Sequence, residues 1–190
     1  MAPCNNAHRR AWRLWAGLFC LLPTAGAWTA DTETVTFRAQ ISDGSCELTL
    51  SETALSYGVH RINDLPPAST ASLLPLTAGI RCSGATTPTL SVRGTVYTPG
   101  SIPQEVLFRD ADSAASGVGF MVRRDTGGIT ADNFYNPGAA LVNGVPFTLS
   151  AVAEASVHHE PLLLGLVRAG NAPVTPGIVK ATLTFKVIYE

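Results

Sequence analysis

Glycine and proline punctuate this chain so densely that long helices have little room to form. Seventeen glycines and thirteen prolines are scattered over 190 residues and cut them into short pieces. Proline removes a backbone donor and clashes with the preceding helical turn, and an interior glycine costs about 1 kcal/mol against alanine. Between these breaks lie segments of alternating or β-branched apolar character, the pattern of strands. They are Thr34 to Ser42 (TVTFRAQIS), Glu47 to Leu50, Ala54 to Val59, Leu73 to Cys82, Pro88 to Tyr97, Gly117 to Arg123, Pro146 to Ala153 and Pro161 to Arg168. The longest alternating stretch, Ile178 to Tyr189 (IVKATLTFKVIY), comes last. Helical patterning is confined to one candidate turn, Ala111 to Ala115. Seven to nine short strands with turn signals between them predict an all-β, immunoglobulin-like sandwich. A hydrophobic content of 46% supplies a core for two layers.

The first residues are read as a leader rather than as fold. Arg9, Arg10 and Arg13 form a positive region, Leu14 to Leu22 (LWAGLFCLL) is apolar, and Ala25-Gly26-Ala27 offers small residues for cleavage. That order is the signature of a secretory signal peptide, and the apolar run falls short of the roughly 18 residues of a membrane span. Cleavage after Ala27 is preferred to cleavage after Ala30, which would put bulky Trp28 three residues upstream of the cut. The expected organisation is a signal peptide over 1–27, an N-terminal extension over 28–45 and one domain over 46–190.

Removing three arginines leaves 10 basic against 14 acidic residues, a formal charge of −4. No basic stripe is available to neutralise phosphates, which argues against nucleic-acid binding. Cys4 and Cys20 would leave with the leader, and Cys46 and Cys82 remain. An even pair in an exported chain reads as a disulfide; the alternative, a metal site, would need at least a third ligand. Closing a loop of this length would stabilise by roughly 4 kcal/mol in the chain-entropy model.

The segment TVTFRAQI begins a few residues after the expected cleavage site, with no turn signal before it. Val35, Phe37, Ala39 and Ile41 point one way along it, and Asp43-Gly44-Ser45 closes it just before Cys46. It is a tethered arm with one apolar edge. Taken in order, the chain resembles the subunits of chaperone–usher pili of the type 1 and P pilus kind. The features are Ala30-Asp31, the alternating arm, Cys46 and Cys82, Gly117-Val118-Gly119-Phe120, Val174-Thr175-Pro176-Gly177, Ala181 to Phe185 and penultimate Tyr189. It departs from the family's usual pattern at Ala39, where many arms carry glycine, and at Leu166-Val167-Arg168.

The resemblance implies an immunoglobulin-like sandwich lacking its last strand, with a 46–190 pilin domain and no catalysis or cofactor. A periplasmic chaperone first fills the resulting groove, and the arm of a neighbouring pilus subunit replaces it at the outer-membrane usher. Val35, Phe37, Ala39 and Ile41 would then be the donor side chains. Leu183, Phe185, Val187 and Tyr189 would edge the acceptor groove, and the Tyr189-Glu190 end would meet the chaperone's basic residues. The implied location is the cell surface, in a pilus supporting adhesion. A self-contained secreted β-sandwich that binds carbohydrate or protein is the competing expectation.

Other chemical candidates carry less. His158-His159-Glu160 could hold metal, but adjacent strand residues point to opposite faces, so an exposed loop or strand edge is expected. Asp110 and Asp112 lie in a polar turn and are expected to be solvated. Arg123-Arg124-Asp125 reads as a solvated hairpin end, and Gly117 and Gly119 as strand glycines that permit close backbone approach. No serine sits in a Gly-x-Ser-x-Gly elbow. After Trp28 the chain has no tryptophan, which weakens a sugar-stacking role.

Overall fold

A computed structural model describes residues 45–99 and 105–189. The expected signal peptide, the arm with Val35, Phe37, Ala39 and Ile41, and Glu190 lie outside the described residues. Two antiparallel sheets make up the body. The larger is ordered β1 (Cys46–Leu50), β2 (Thr70–Cys82), β7 (Val157–Arg168), β5 (Val118–Arg124) and β4 (Leu107–Phe108). The smaller is ordered β6 (Phe147–Thr148), β3 (Thr89–Gly94) and β8 (Leu183–Ile188). The long strands β2 and β7 form the spine, pairing from Thr70 opposite Val167 to Arg81 opposite Val157. Prolines are tolerated there because of where they fall. Pro75 lies beyond the stretch of β2 that pairs with β1, and Pro161 lies one residue past the last pairing of β7 with β5.

The main core fills the space between the sheets. Leu76, Ala78 and Ile80 of β2, Leu90 and Val92 of β3, and Leu162 and Leu164 of β7 meet there, all buried. The continuous apolar run of β7 has a second cause. Leu163 and Val167 point to the opposite face, where they pack with Met121, Leu107 and Phe134. The sheet is therefore covered on both sides around β7. Phe134 belongs to α1 (Ala131–Phe134), a single turn that the sequence reading did not foresee. The Thr130 N–H donates to Asn133 Oδ1 at 2.9 Å, but one turn is not stable alone; burial of Phe134 holds it. Gly165 makes room, since a Cβ there would collide with the Phe134 ring.

Cys46 and Cys82 are joined by a disulfide at the facing ends of β1 and β2. Several expected elements differ. Ala54 to Val59 forms no strand, 146–153 contains only the two-residue β6, and Ala111 to Ala115 is an irregular turn. β7 begins at Val157 rather than Pro161, so His158 to Glu160 are strand residues. Among the described residues no helix is long and apolar enough to cross a membrane.

Candidate strand-accepting groove

The strand β8 is hydrogen-bonded to β3, with Gly94 opposite Leu183 and Thr89 opposite Ile188. Among the described residues it has no strand on its other side. Its alternation sorts the side chains: Leu183, Phe185 and Val187 are half-buried against the main core, while Thr184, Lys186 and Ile188 are exposed. Tyr189 is half-buried just past the strand's end. Beside this free edge runs a groove of about 880 Å³. Leu76, Phe120, Leu164 and Leu166 line its depth, and Leu183 and Phe185 line it from β8. A strand edge with unmade backbone bonds beside apolar side chains is unstable in water until another strand covers it.

One wall is the segment after β1. Having no ladder of its own, it is pinned through Tyr57. The Tyr57 hydroxyl donates to the Leu164 carbonyl at 3.0 Å, and its ring packs on Phe120 with centroids 5.1 Å apart. Burial pushes this phenol well above the usual tyrosine range. The other wall is a strap over residues 174–182, which turns its Val174, Val179 and Ala181 inward onto Phe120, Leu166, Val118 and Ala115. The strap is held almost wholly by the polar turn at 110–116. Ala114 N–H and Ala115 N–H donate to the Ile178 carbonyl, and Asp110 N–H to the Lys180 carbonyl at 2.8 Å. Ser113 Oγ donates to that same carbonyl at 3.1 Å. The Asp110 carboxylate accepts from Thr182 N–H at 2.9 Å and from Thr182 Oγ1 at 2.8 Å. Ser116 N–H donates to Thr175 Oγ1 at 3.0 Å. Lys180 Nζ lies 2.6 Å from Asp112 Oδ2; the hydrogen bond holds the Asp112 carboxyl below its ordinary range and raises the lysine.

Asp112 is thus the solvated acid its setting implies, whereas Asp110 is an anchor of the groove wall. Two further expectations need correction. Glu160 is buried at 3% exposure rather than lying in an exposed loop or edge. It accepts from Arg124 Nε at 2.5 Å and Nη2 at 3.1 Å, and lies 3.2 Å from His158 Nε2. His159, on the other face, is exposed. Arg123 and Arg124 are not a solvated hairpin end. Arg123 lies over Phe134 and donates to its carbonyl at 2.7 Å, while Arg124 lies over Phe147 of the second sheet. Among the described residues no three metal-ligating side chains gather. Gly119 does sit close to a neighbouring backbone, since a Cβ there would lie 3.2 Å from the Phe108 carbonyl oxygen.

Sequence reading placed the β8 side chains on one face but missed Tyr57, the strap's anchors and the depth of the groove. The only signal for the strap was Val174-Thr175-Pro176-Gly177, where a broken β pattern precedes the final strand.

The family model described as "Fimbrial protein" matches residues 35–190. Among solved structures, a chaperone–usher pilus described for rod uncoiling matches at TM-score 0.51 and 16% identity, over 85% of this chain and 97% of that one. An antigen and type I fimbria protein of Burkholderia pseudomallei matches at TM-score 0.48 and 17% identity, covering 76% and 97%. The P pilus rod subunit PapA matches at TM-score 0.45 and 15% identity, covering 83% and 100%. No curated protein matches at a significant level.

Proposed function

The chain belongs to the fimbrial protein family, structural subunits of surface pili, and from that premise we propose that its copies are joined by donor-strand exchange. In this reading the arm of one copy, with Val35, Phe37, Ala39 and Ile41 along one edge, lies beside β8 of the next. Its backbone completes the hydrogen-bonding that β8, among the described residues, makes on one side only. Alternate side chains enter the groove over Phe120, Leu164 and Leu166. Full burial of a Val, Phe or Ile side chain contributes about 1.5–3 kcal/mol. Added to a ladder of backbone bonds, that makes a joint that hardly dissociates.

Before assembly the same groove and β8 edge are covered by a periplasmic chaperone, whose basic residues hold the Tyr189-Glu190 end, and exchange takes place at an outer-membrane usher. Membership of a family of structural subunits implies a protein without catalysis, exported to the cell surface. The observation that carries the proposal is that β8, among the described residues, pairs on one side only, beside an apolar groove. Periplasmic expression tests it: alone, the chain should aggregate or be degraded, and a co-expressed chaperone should rescue it. A lasting soluble monomer without any companion would sink the proposal.

A further inference from the structure

The mouth of the groove carries apolar side chains that the sandwich leaves bare. Val59 is 99% exposed and Ile178 75%, one on each wall of the groove. Val59 follows Gly58, whose φ of 73° turns the chain there. The Ile178 carbonyl is bonded to two backbone N–H groups of the 110–116 turn, so its side chain is held outward on an anchored strap.

The root of the arm says what comes close. Ser45 N–H donates to Ser83 Oγ at 2.8 Å, and the Ser45 carbonyl accepts from Ser83 N–H at 2.9 Å, which fixes residue 45 at the disulfide end of the body. Only Asp43, Gly44 and Ser45 separate Ser42 from Cys46, a span of at most about 14 Å. A copy whose arm fills a groove therefore keeps its own disulfide end within about 14 Å of that groove's rim. Every strand pairing in the described body is antiparallel. An arm added to β8 in the same sense brings its Ile41 end beside Leu183, where the strap carries Ile178. The disulfide end presents an apolar counterpart. Val157, opposite Arg81, is 48% exposed, and neighbouring Ala155, whose N–H is bonded to the Cys82 carbonyl, is exposed too.

We infer that Val59 and Ile178 form a docking surface for a second copy of this chain, whose disulfide end seats Val157 on the rim while its arm occupies the groove. The inference rests on the donor-strand reading. It adds that the joint is a body-to-body contact as well as a strand, which restricts bending between subunits.

Full-length chain carrying Val59→Cys and Val157→Cys, assembled with its chaperone and usher and treated with a short bismaleimide, tests the contact. The expected result is a subunit ladder that survives boiling in detergent, and loss of that ladder when Ile178→Asp is added. A ladder that is present unboiled but lost entirely on boiling overturns the docking surface and leaves strand donation standing. No ladder even for the unsubstituted chain overturns strand donation, and the docking surface with it. Should the cysteine pair block assembly, fibres carrying Val59→Asp and Ile178→Asp decide. More sharply bent fibres in micrographs support the contact, and unchanged curvature overturns it.

Discussion

The hydroxyl of Tyr57 donates a hydrogen bond to the carbonyl of Leu164 across 107 residues of sequence. This bond, with the ring's packing on Phe120, ties a wall without strand structure to the depth of the groove. Tyr57→Phe should lower stability by about 1 kcal/mol, the net worth of one such bond, read from the denaturant midpoint of the full-length chain. The same residue sets a pH limit. Its folded-state pKa is raised above the ordinary 10.0, so its contribution is complete below pH 10 and declines above it, where the unfolded chain loses the proton first. Tyr57→Phe should flatten that alkaline loss; an unchanged alkaline profile would show that another group governs it.

Asp110 and Asp112 should behave differently although two residues apart. Asp110→Ala removes both bonds to Thr182 and should speed amide exchange at Lys180, Thr182 and Leu183, by about tenfold for 1–1.5 kcal/mol. Asp112→Asn breaks only a solvent-exposed pair, and such pairs are worth little. Its exchange pattern should match the parent's. Equal effects would mean that the strap is not held as the hydrogen bonds indicate.

Glu160 is buried with Arg124 and His158 as its partners. Removing its carboxylate by Glu160→Ala should cost about 2 kcal/mol, in the range for hydrogen bonds to charged groups. Arg124 is 42% exposed, so water covers part of the loss. A thermal or denaturant midpoint equal to that of the parent would contradict the arrangement.

Gly165→Ala should destabilise by about 1–3 kcal/mol through overpacking against the Phe134 ring. Phe134→Leu should be destabilising alone, yet less so in the Gly165→Ala background. A double-mutant cycle reads this coupling, and simple additivity would deny it.

Phe37→Asp should abolish incorporation into fibres while leaving the chaperone complex intact, because in the proposed reading the arm serves assembly alone. Deleting Lys186 to Glu190 should abolish the chaperone complex and fibre incorporation together, since it removes half of the β8 edge that both are proposed to use. Co-purification with the chaperone and fibre yield separate the two.

Much of the sandwich is visible without coordinates because alternation is a local property. Residues two apart on a strand share a face whatever the rest of the chain does, so β3 and β5 emerge at nearly their true places, and Leu183, Phe185 and Val187 fall on one side, although the final strand starts at Leu183 rather than at Ile178. The pairing of Cys46 with Cys82 followed from export and an even count. Where neighbours decide, local pattern failed. Ala54 to Val59 reads as a strand, but in the fold it finds no ladder and serves as a wall pinned by Tyr57. His158 to Glu160 looks like a polar surface segment until Arg124, 36 residues earlier, arrives to pair the buried carboxylate. α1 is too short to be seen by periodicity and exists because Phe134 covers Gly165.

By itself, then, the sequence determined fold class, strand faces and crosslink, since each depends on spacing within a few residues or on the count of one residue type. Tertiary structure alone decided that β8 has a free edge among the described residues, that a groove opens beside it and that a polar turn 59 to 72 residues away holds one wall. Those depend on which distant segments come to lie together, and no local pattern encodes that.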